Sequence, residues 1–243
     1  MTRFETLFLA VLALSATAAA TRVELQYEPA NKEDIRNTLL WYNSTSYNYW
    51  ADRLDEFLKP YKLPTPNRAG CSHMHPPDHG KICNYKTETW GPCVSSNRYG
   101  YKTGSPCVFI ELKKAFNWKP KYYNSTKNLP KDMPERLKER LVELESSGRK
   151  REWKNVWVTC DGENPGDREA IGPVSYIPFQ GYPGYMFPYT GQKWYLNPII
   201  AVYFQKPYHG MVINVECKAW AANIKRNELQ EEGVTSFQLL IDL

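Results

Sequence analysis

Six cysteines, Cys71, Cys83, Cys93, Cys107, Cys160 and Cys217, constrain this 243-residue chain more than any other feature. In an oxidising compartment such thiols staple loops together, whereas in a reducing one they bind metal or stay free. The N-terminus points to the first case. Arg3 precedes an apolar stretch from Leu7 to Leu14, and the small residues Ala18, Ala19 and Ala20 follow, the layout of a secretory signal ending in a cleavage site. A short signal-anchor is the alternative for residues 1–20. A membrane span, however, needs about 20 predominantly apolar residues, and Ser15 and Thr17 interrupt this stretch. The sequons Asn43-Ser44-Thr45 and Asn124-Ser125-Thr126 make Asn43 and Asn124 glycan acceptors and agree with a lumenal fate. Disulfides are therefore expected, and counting alone leaves their pairing open among fifteen arrangements.

Cleavage after Ala20 would leave about 220 residues, enough for one sizeable core. The formal charge of +5 is mild, and basic residues alternate with acids, as in KDMPERLKERLVELE, so solvated faces are expected and no nucleic-acid partner.

Residues 46–58 place Trp50, Leu54, Phe57 and Leu58 at helical spacing and predict a short amphipathic helix that stops at Pro60. Residues 62–92 are rich in Pro, Gly, His and Asn and predict a loop ordered by cysteines. Residues 107–112 and 156–160 predict strands. Between them Leu137, Leu141 and Leu144 mark a helix capped by Asp132, with Pro134 in its first turn and Gly148 at its end. The run 199–204, the alternation around Ile213, Val215 and Cys217, and residues 235–241 add three more strands. Trp157 beside Cys160, with the distant Cys217 also on a strand, predicts a mainly β, two-sheet sandwich pinned by a disulfide.

The grouping of Cys71, His73, His75, His79 and Cys83 could hold zinc only with free thiolates, and the compartment favours a disulfide, so neither metal nor cofactor is expected. No serine lies in a nucleophile elbow and no glycine loop is built to cradle phosphate, so an enzyme is not expected. Asp161 and Glu163 fall in CDGENPGD, where such residues fix turns. The segment Phe179 to Gly191 alternates aromatics with Pro and Gly, and reads equally as a cap on the core or as a stiff loop presenting rings to a partner.

Four stretches carry a resemblance: WGPCVSSNRYGYKTGSPCVFIELKKAFNWKPKYYN (90–124), VWVTCDGENPGDREAIGPVSYIPFQGYPGYMFPY (156–189), YLNPIIAVYF (195–204) and INVECKAWAANI (213–224). The chain resembles the β subunits of the sodium/potassium-transporting ATPase, most closely the insect, nervana-type members. The resemblance extends more weakly over nearly all of residues 25–243. It implies an immunoglobulin-like antiparallel sandwich with an inserted helix and three disulfides between sequential cysteines, Cys71–Cys83, Cys93–Cys107 and Cys160–Cys217. In domain terms it implies an N-terminal extension with a short helix (21–66) followed by a stapled ectodomain (67–243), the two forming one unit.

The resemblance also implies a non-catalytic subunit that escorts the catalytic α subunit to the plasma membrane, stabilises it and tunes its cation affinity. Tyr185, Phe187, Pro188, Tyr189 and Gly191, with Tyr182 in the same segment, are then expected to bind that partner. Members of this family carry a cytosolic tail and a full membrane helix, in whose place this chain has Met1–Ala20. Membrane association would therefore run through the partner or through an uncleaved N-terminus. The competing expectation is a secreted β-subunit-like protein that binds adhesion partners or a soluble ligand without a pump.

Overall fold

The computed structural model describes residues 22–34, 36–78, 80–149, 151–227 and 230–243; the leader read from residues 1–20 lies outside them. Among the described residues no helix is long and apolar enough to cross a membrane. In chain order the main elements are β1 (Leu25–Glu28), β2 (Leu39–Asn43), α1 (Tyr47–Lys62), β3 (Cys107–Leu112), α2 (Glu135–Ser146), β4 (Asn155–Gly162), α3 (Pro165–Ala170), β5 (Val174–Ile177), β6 (Gly181–Pro183), β7 (Ile199–Phe204), β8 (Val212–Trp220) and β9 (Val234–Asp242).

Two sheets form. The first has strand order β1-β3-β7-β5 and the second β2-β9-β8-β4-β6. All pairings within them are antiparallel except β2 with β9, which is parallel. The result is a mainly β, immunoglobulin-like sandwich to which the N-terminal region contributes one strand on each sheet.

Period-two alternation explains the packing. Val108, Ile110, Val202 and Phe204 of the first sheet are fully buried or nearly so, as are Val158, Val215, Phe237 and Leu239 of the second. Phe237 lies 4.9 Å from the Tyr27 ring and 6.1 Å from that of Phe204, which places both sheets in one core. Each side chain of this size contributes about 1.5–3 kcal/mol on full burial.

The neighbouring residue Phe109 faces the other way, and its ring meets Phe57 of α1 at 6.2 Å, Trp90 at 5.9 Å and Tyr99 at 6.0 Å. Helix α1 and the 85–103 segment thus cover the outer face of the first sheet. Asp55 ties them together, accepting from Tyr99 Oη at 2.6 Å and Ser95 Oγ at 3.0 Å. Burial alone would raise the Asp55 carboxyl, but these bonds and Lys62 outweigh it and hold the group below its ordinary range.

Helix α1 continues through Pro60 to Lys62, past the stop expected from sequence. Two things carry the last turn. Leu58 and Tyr61 are buried in the core, and Arg68 donates to the carbonyls of Pro60 (2.8 Å), Tyr61 (3.2 Å) and Leu63 (2.7 Å), satisfying groups that a helix end leaves bare. A two-residue ladder between Arg68–Ala69 and Ile82–Cys83 follows, closed by the Cys71–Cys83 disulfide. The other disulfides join Cys93 to Cys107 and Cys160 to Cys217.

Helix α2 begins at Glu135 with Pro134, not Asp132, at its N-cap. The Pro134 carbonyl accepts from Leu137 N at 3.0 Å, so the proline precedes the first turn instead of lying in it. Gly148, at φ +67°, follows the helix end as expected. Leu137, Leu141 and Leu144 pack with Met133, Trp153, Trp157 and Trp220 in a second core on the outer face of the second sheet. Trp220 Nε1 donates to Thr159 Oγ1 there at 2.7 Å.

This placement separates Trp157 from the disulfide beside which it stands in sequence. Trp157 and Cys160 are three residues apart on β4, so their side chains leave opposite faces. Cys160 and Cys217 are also direct register partners on neighbouring strands, with Cα atoms 4.0 Å apart, so their disulfide staples one sheet and not the two together.

Turn CDGENPGD behaves as a backbone fixture. Asn164 caps α3 by accepting from Asp167 N at 2.9 Å, and the buried Asp167 carboxylate accepts from Asn214 N of β8 at 3.0 Å.

Tyr182 does not belong to a partner surface. It sits mid-strand in β6, wholly buried, and its hydroxyl donates to the Ile110 carbonyl across the sandwich at 2.9 Å. The strand lies so close to β4 that a Cβ on Gly181 would fall 2.2 Å from the Val156 carbonyl oxygen, at a φ of +131° that a side chain rarely adopts.

Two outcomes follow from this packing. Replacing Cys160 and Cys217 together by Ala is expected to lower the unfolding free energy by about 4 kcal/mol, the chain-entropy value for this 57-residue separation, in denaturant titration; a loss below about 1 kcal/mol would contradict a stapling role. Tyr182→Phe is expected to cost about 0.5–1.5 kcal/mol by removing the hydroxyl's bond to the Ile110 carbonyl, and an unchanged midpoint would deny that bond a part in stability.

Candidate partner-binding face

The segment that leaves β6 makes a single tight turn over Gly184–Met186 and then runs as an ordered loop to Gly191. Its backbone is held at several points. Gly184 N donates to Lys154 O at 2.7 Å, and Asn117 N donates to Tyr189 O at 2.8 Å beside a parallel bridge between Phe116 and Tyr189. Gln192 closes the loop from within, accepting from Thr190 N at 2.8 Å and donating to Pro188 O at 3.1 Å.

The side chains diverge from this frame. Phe187 turns toward the core and meets the nearly buried Trp118 edge-on at 5.4 Å. Tyr185 turns toward the cysteine loop, where its ring lies 5.4 Å from His73, and burial raises its hydroxyl above the ordinary tyrosine range. Tyr189 stays half-buried among rings, 4.7 Å from Tyr195 and 6.1 Å from Phe116, with Lys114 Nζ 5.5 Å from its centroid. Gly191 is exposed at φ +90°, and a Cβ there would meet Phe116 Cε2 at 3.9 Å.

Tyr189 and Gly191 therefore share one ledge with Phe116, which is 55 % exposed. Tyr185 belongs to a different flank, and Phe187 supports the ledge from beneath. Sequence reading missed Phe116, Tyr195 and Lys114, because each is separated from the aromatic segment or masked by ordinary surface composition. The signal was present only as rings next to lysines in KKAFNWK and QKWYL.

Two clefts border the loop. One, of about 620 Å³, lies between it and residues 76–78 and 80–83, with Met186 and Tyr195 among its walls. The other, of about 930 Å³, is lined by His73, Arg140, Trp157, Phe179 and Tyr185 among others. The second holds part of the grouping considered for zinc. Cys71 and Cys83 are joined to each other, His73 stacks its edge on Tyr185, and burial lowers its pKa. His75 pairs with Ser72 Oγ at 3.4 Å, and His79 lies outside the described residues. The sulfurs are thus not available as thiolate ligands.

Of the sequon residues, Asn124 is exposed on an irregular segment and Asn43 is half-buried at the end of β2. Lys62 and the arginines near α2 are engaged by acids: Lys62 pairs with Asp55, and Arg140 and Arg149 pair with Glu143 and Glu152.

Residues 21–239 match the family model described as the sodium/potassium ATPase beta chain. The chain is 41% identical to sodium/potassium-transporting ATPase subunit beta-2 of Drosophila melanogaster, over 94% of this chain and 74% of that protein. It is 33% identical to subunit beta-1 of the same organism over the same shares, and 26% identical to human subunit beta-2 over 82% of this chain and 66% of the human protein. With the disulfide-stapled sandwich and a match along almost its whole length, the chain belongs to the sodium/potassium ATPase beta chain family.

Proposed function

We propose that this protein is a non-catalytic β subunit that binds the catalytic α subunit of a sodium/potassium-transporting ATPase at the extracellular face of the plasma membrane. In this role it aids assembly and delivery of the α subunit and tunes its affinity for cations. The observation that carries the reading is the ledge of Tyr189 with Phe116, Tyr195 and Lys114. Rings are gathered there at the surface on a loop pinned by backbone bonds, which limits the entropy lost on binding.

The compartment supports the same reading. Three disulfides and two sequons suit the oxidising side of a membrane, the side on which an extracellular loop of a pump would be met. On this reading Tyr189 and Gly191 touch the partner directly, Tyr185 and Pro188 flank the contact, and Phe187 positions the loop.

Co-expression with a sodium/potassium pump α subunit tests the proposal. The full chain is expected to co-purify with the α subunit and to raise its level at the cell surface. Tyr189→Ala is expected to weaken that association about tenfold or more, the usual cost of truncating a central aromatic anchor, while the melting temperature of the free chain falls by no more than about 4 °C. Undiminished binding by Tyr189→Ala would remove the ledge from the interface, and no co-purification of the unaltered chain would remove the subunit role.

A further inference from the structure

Strand β2 ends in the sequon Asn43-Ser44-Thr45, and its alternation puts Trp41 and Asn43 on the outward face of the second sheet while Leu40 and Tyr42 are buried. Trp41 is 45 % exposed. Its indole leans along the strand toward the sequon, because Nε1 donates to Asp242 Oδ2 at 2.6 Å and Asp242 is the register partner of Asn43. At the level of Trp41 an apolar row crosses the sheet, with Leu240 opposite Trp41 and Val212, 42 % exposed, opposite Leu240.

The Asn43 side chain is already oriented. Its Oδ1 accepts from Thr45 N at 2.9 Å, Thr45 Oγ1 at 2.8 Å and Ser46 N at 2.9 Å. These bonds survive attachment of a sugar, which takes place at Nδ2, and they hold the amide in one pose. Two residues along a strand span about 6–7 Å, within reach of a pyranose ring carried on that nitrogen.

We infer that the innermost sugar of an Asn43-linked glycan packs its apolar face on the Trp41 indole and covers this exposed row as a part of the fold. The inference rests on Asn43 being glycosylated. The other sequon lacks the arrangement: Tyr122, two residues before Asn124, packs against the core and directs its hydroxyl to Gly184 O at 3.4 Å. Strand β2 lies at the edge of its sheet, and its outward backbone groups are engaged within the chain: Leu39 N donates to Asn37 Oδ1 at 3.1 Å, Trp41 O accepts from Trp50 Nε1 at 2.7 Å and Asn43 N donates to Ser46 Oγ at 3.0 Å.

The test uses the full chain made in a eukaryotic secretory host. Mass spectrometry of the Asn43 peptide reads occupancy, and melting temperatures are compared for the unaltered chain, Trp41→Ala, Asn43→Gln and the double variant. Asn43 is expected to be occupied, and Asn43→Gln to lower the melting temperature by about 2–4 °C. Trp41→Ala should cost at least about 2 °C more with the glycan than without it, the coupling that a double-mutant cycle isolates from the lost Asp242 bond. Thr45→Ala, which removes the sequon but keeps Asn43 and its bonds to Thr45 N and Ser46 N, should lower the cost of Trp41→Ala as far as Asn43→Gln does, and Asn124→Gln should leave that cost unchanged. An unoccupied Asn43, or an equal cost of Trp41→Ala with and without the glycan, would overturn the inference.

Discussion

The register between β4 and β8 is the constraint on which the rest of the molecule depends. It sets Cys160 opposite Cys217 on the inner face and Trp157 opposite Trp220 on the outer one. A slip of one residue would exchange these faces, putting the disulfide outside and two indoles into the sandwich. With the register fixed, the inner face closes on the first sheet and the outer face offers an indole floor on which α2 is seated. The sandwich and the inserted helix are thus two consequences of one ladder, and the disulfide between direct partners locks that ladder in place.

The strands of the two-sided core were legible because burial imposes a pattern on them. The runs at 107–112 and 199–204 and the alternation through Ile213, Val215 and Cys217 announce strands, and Leu137, Leu141 and Leu144 announce a helix. Strands β1 and β2 were not legible: LQYE and LLWYN are short and mixed, and become strands only by pairing with distant β3 and β9. The end of α1 was misread for a related reason. Pro60 is a local signal to stop, but a remote arginine and two core side chains outvote it. Tertiary contacts decided each of these cases, and a linear pattern does not record them.

The candidate face shows the same division. The aromatic segment after β6 was visible as composition, yet composition does not separate Tyr182 from Tyr189. The ladder with β4 draws Tyr182 into the core, whereas Tyr189 lies past the turn, where the chain has left the sheet. Half of the ledge comes from elsewhere: Phe116 and Lys114 arrive through the bridge to Tyr189, and Tyr195 returns from beyond Gln192. Such a surface has no sequence motif of its own, because a fold that is specified for other reasons assembles it.

The parallel pairing of β2 with β9 joins the start of the sandwich to its finish; Trp41 and Asp242, bonded to each other, stand 201 positions apart. A ribosome releases β2 well before β9, so β2 must wait, with its future neighbour not yet made, while the intervening strands emerge. The second sheet therefore cannot be completed before β9 has been made. Until β9 arrives, both β2 and β8 lack the strand that joins them, and the sheet stays divided there.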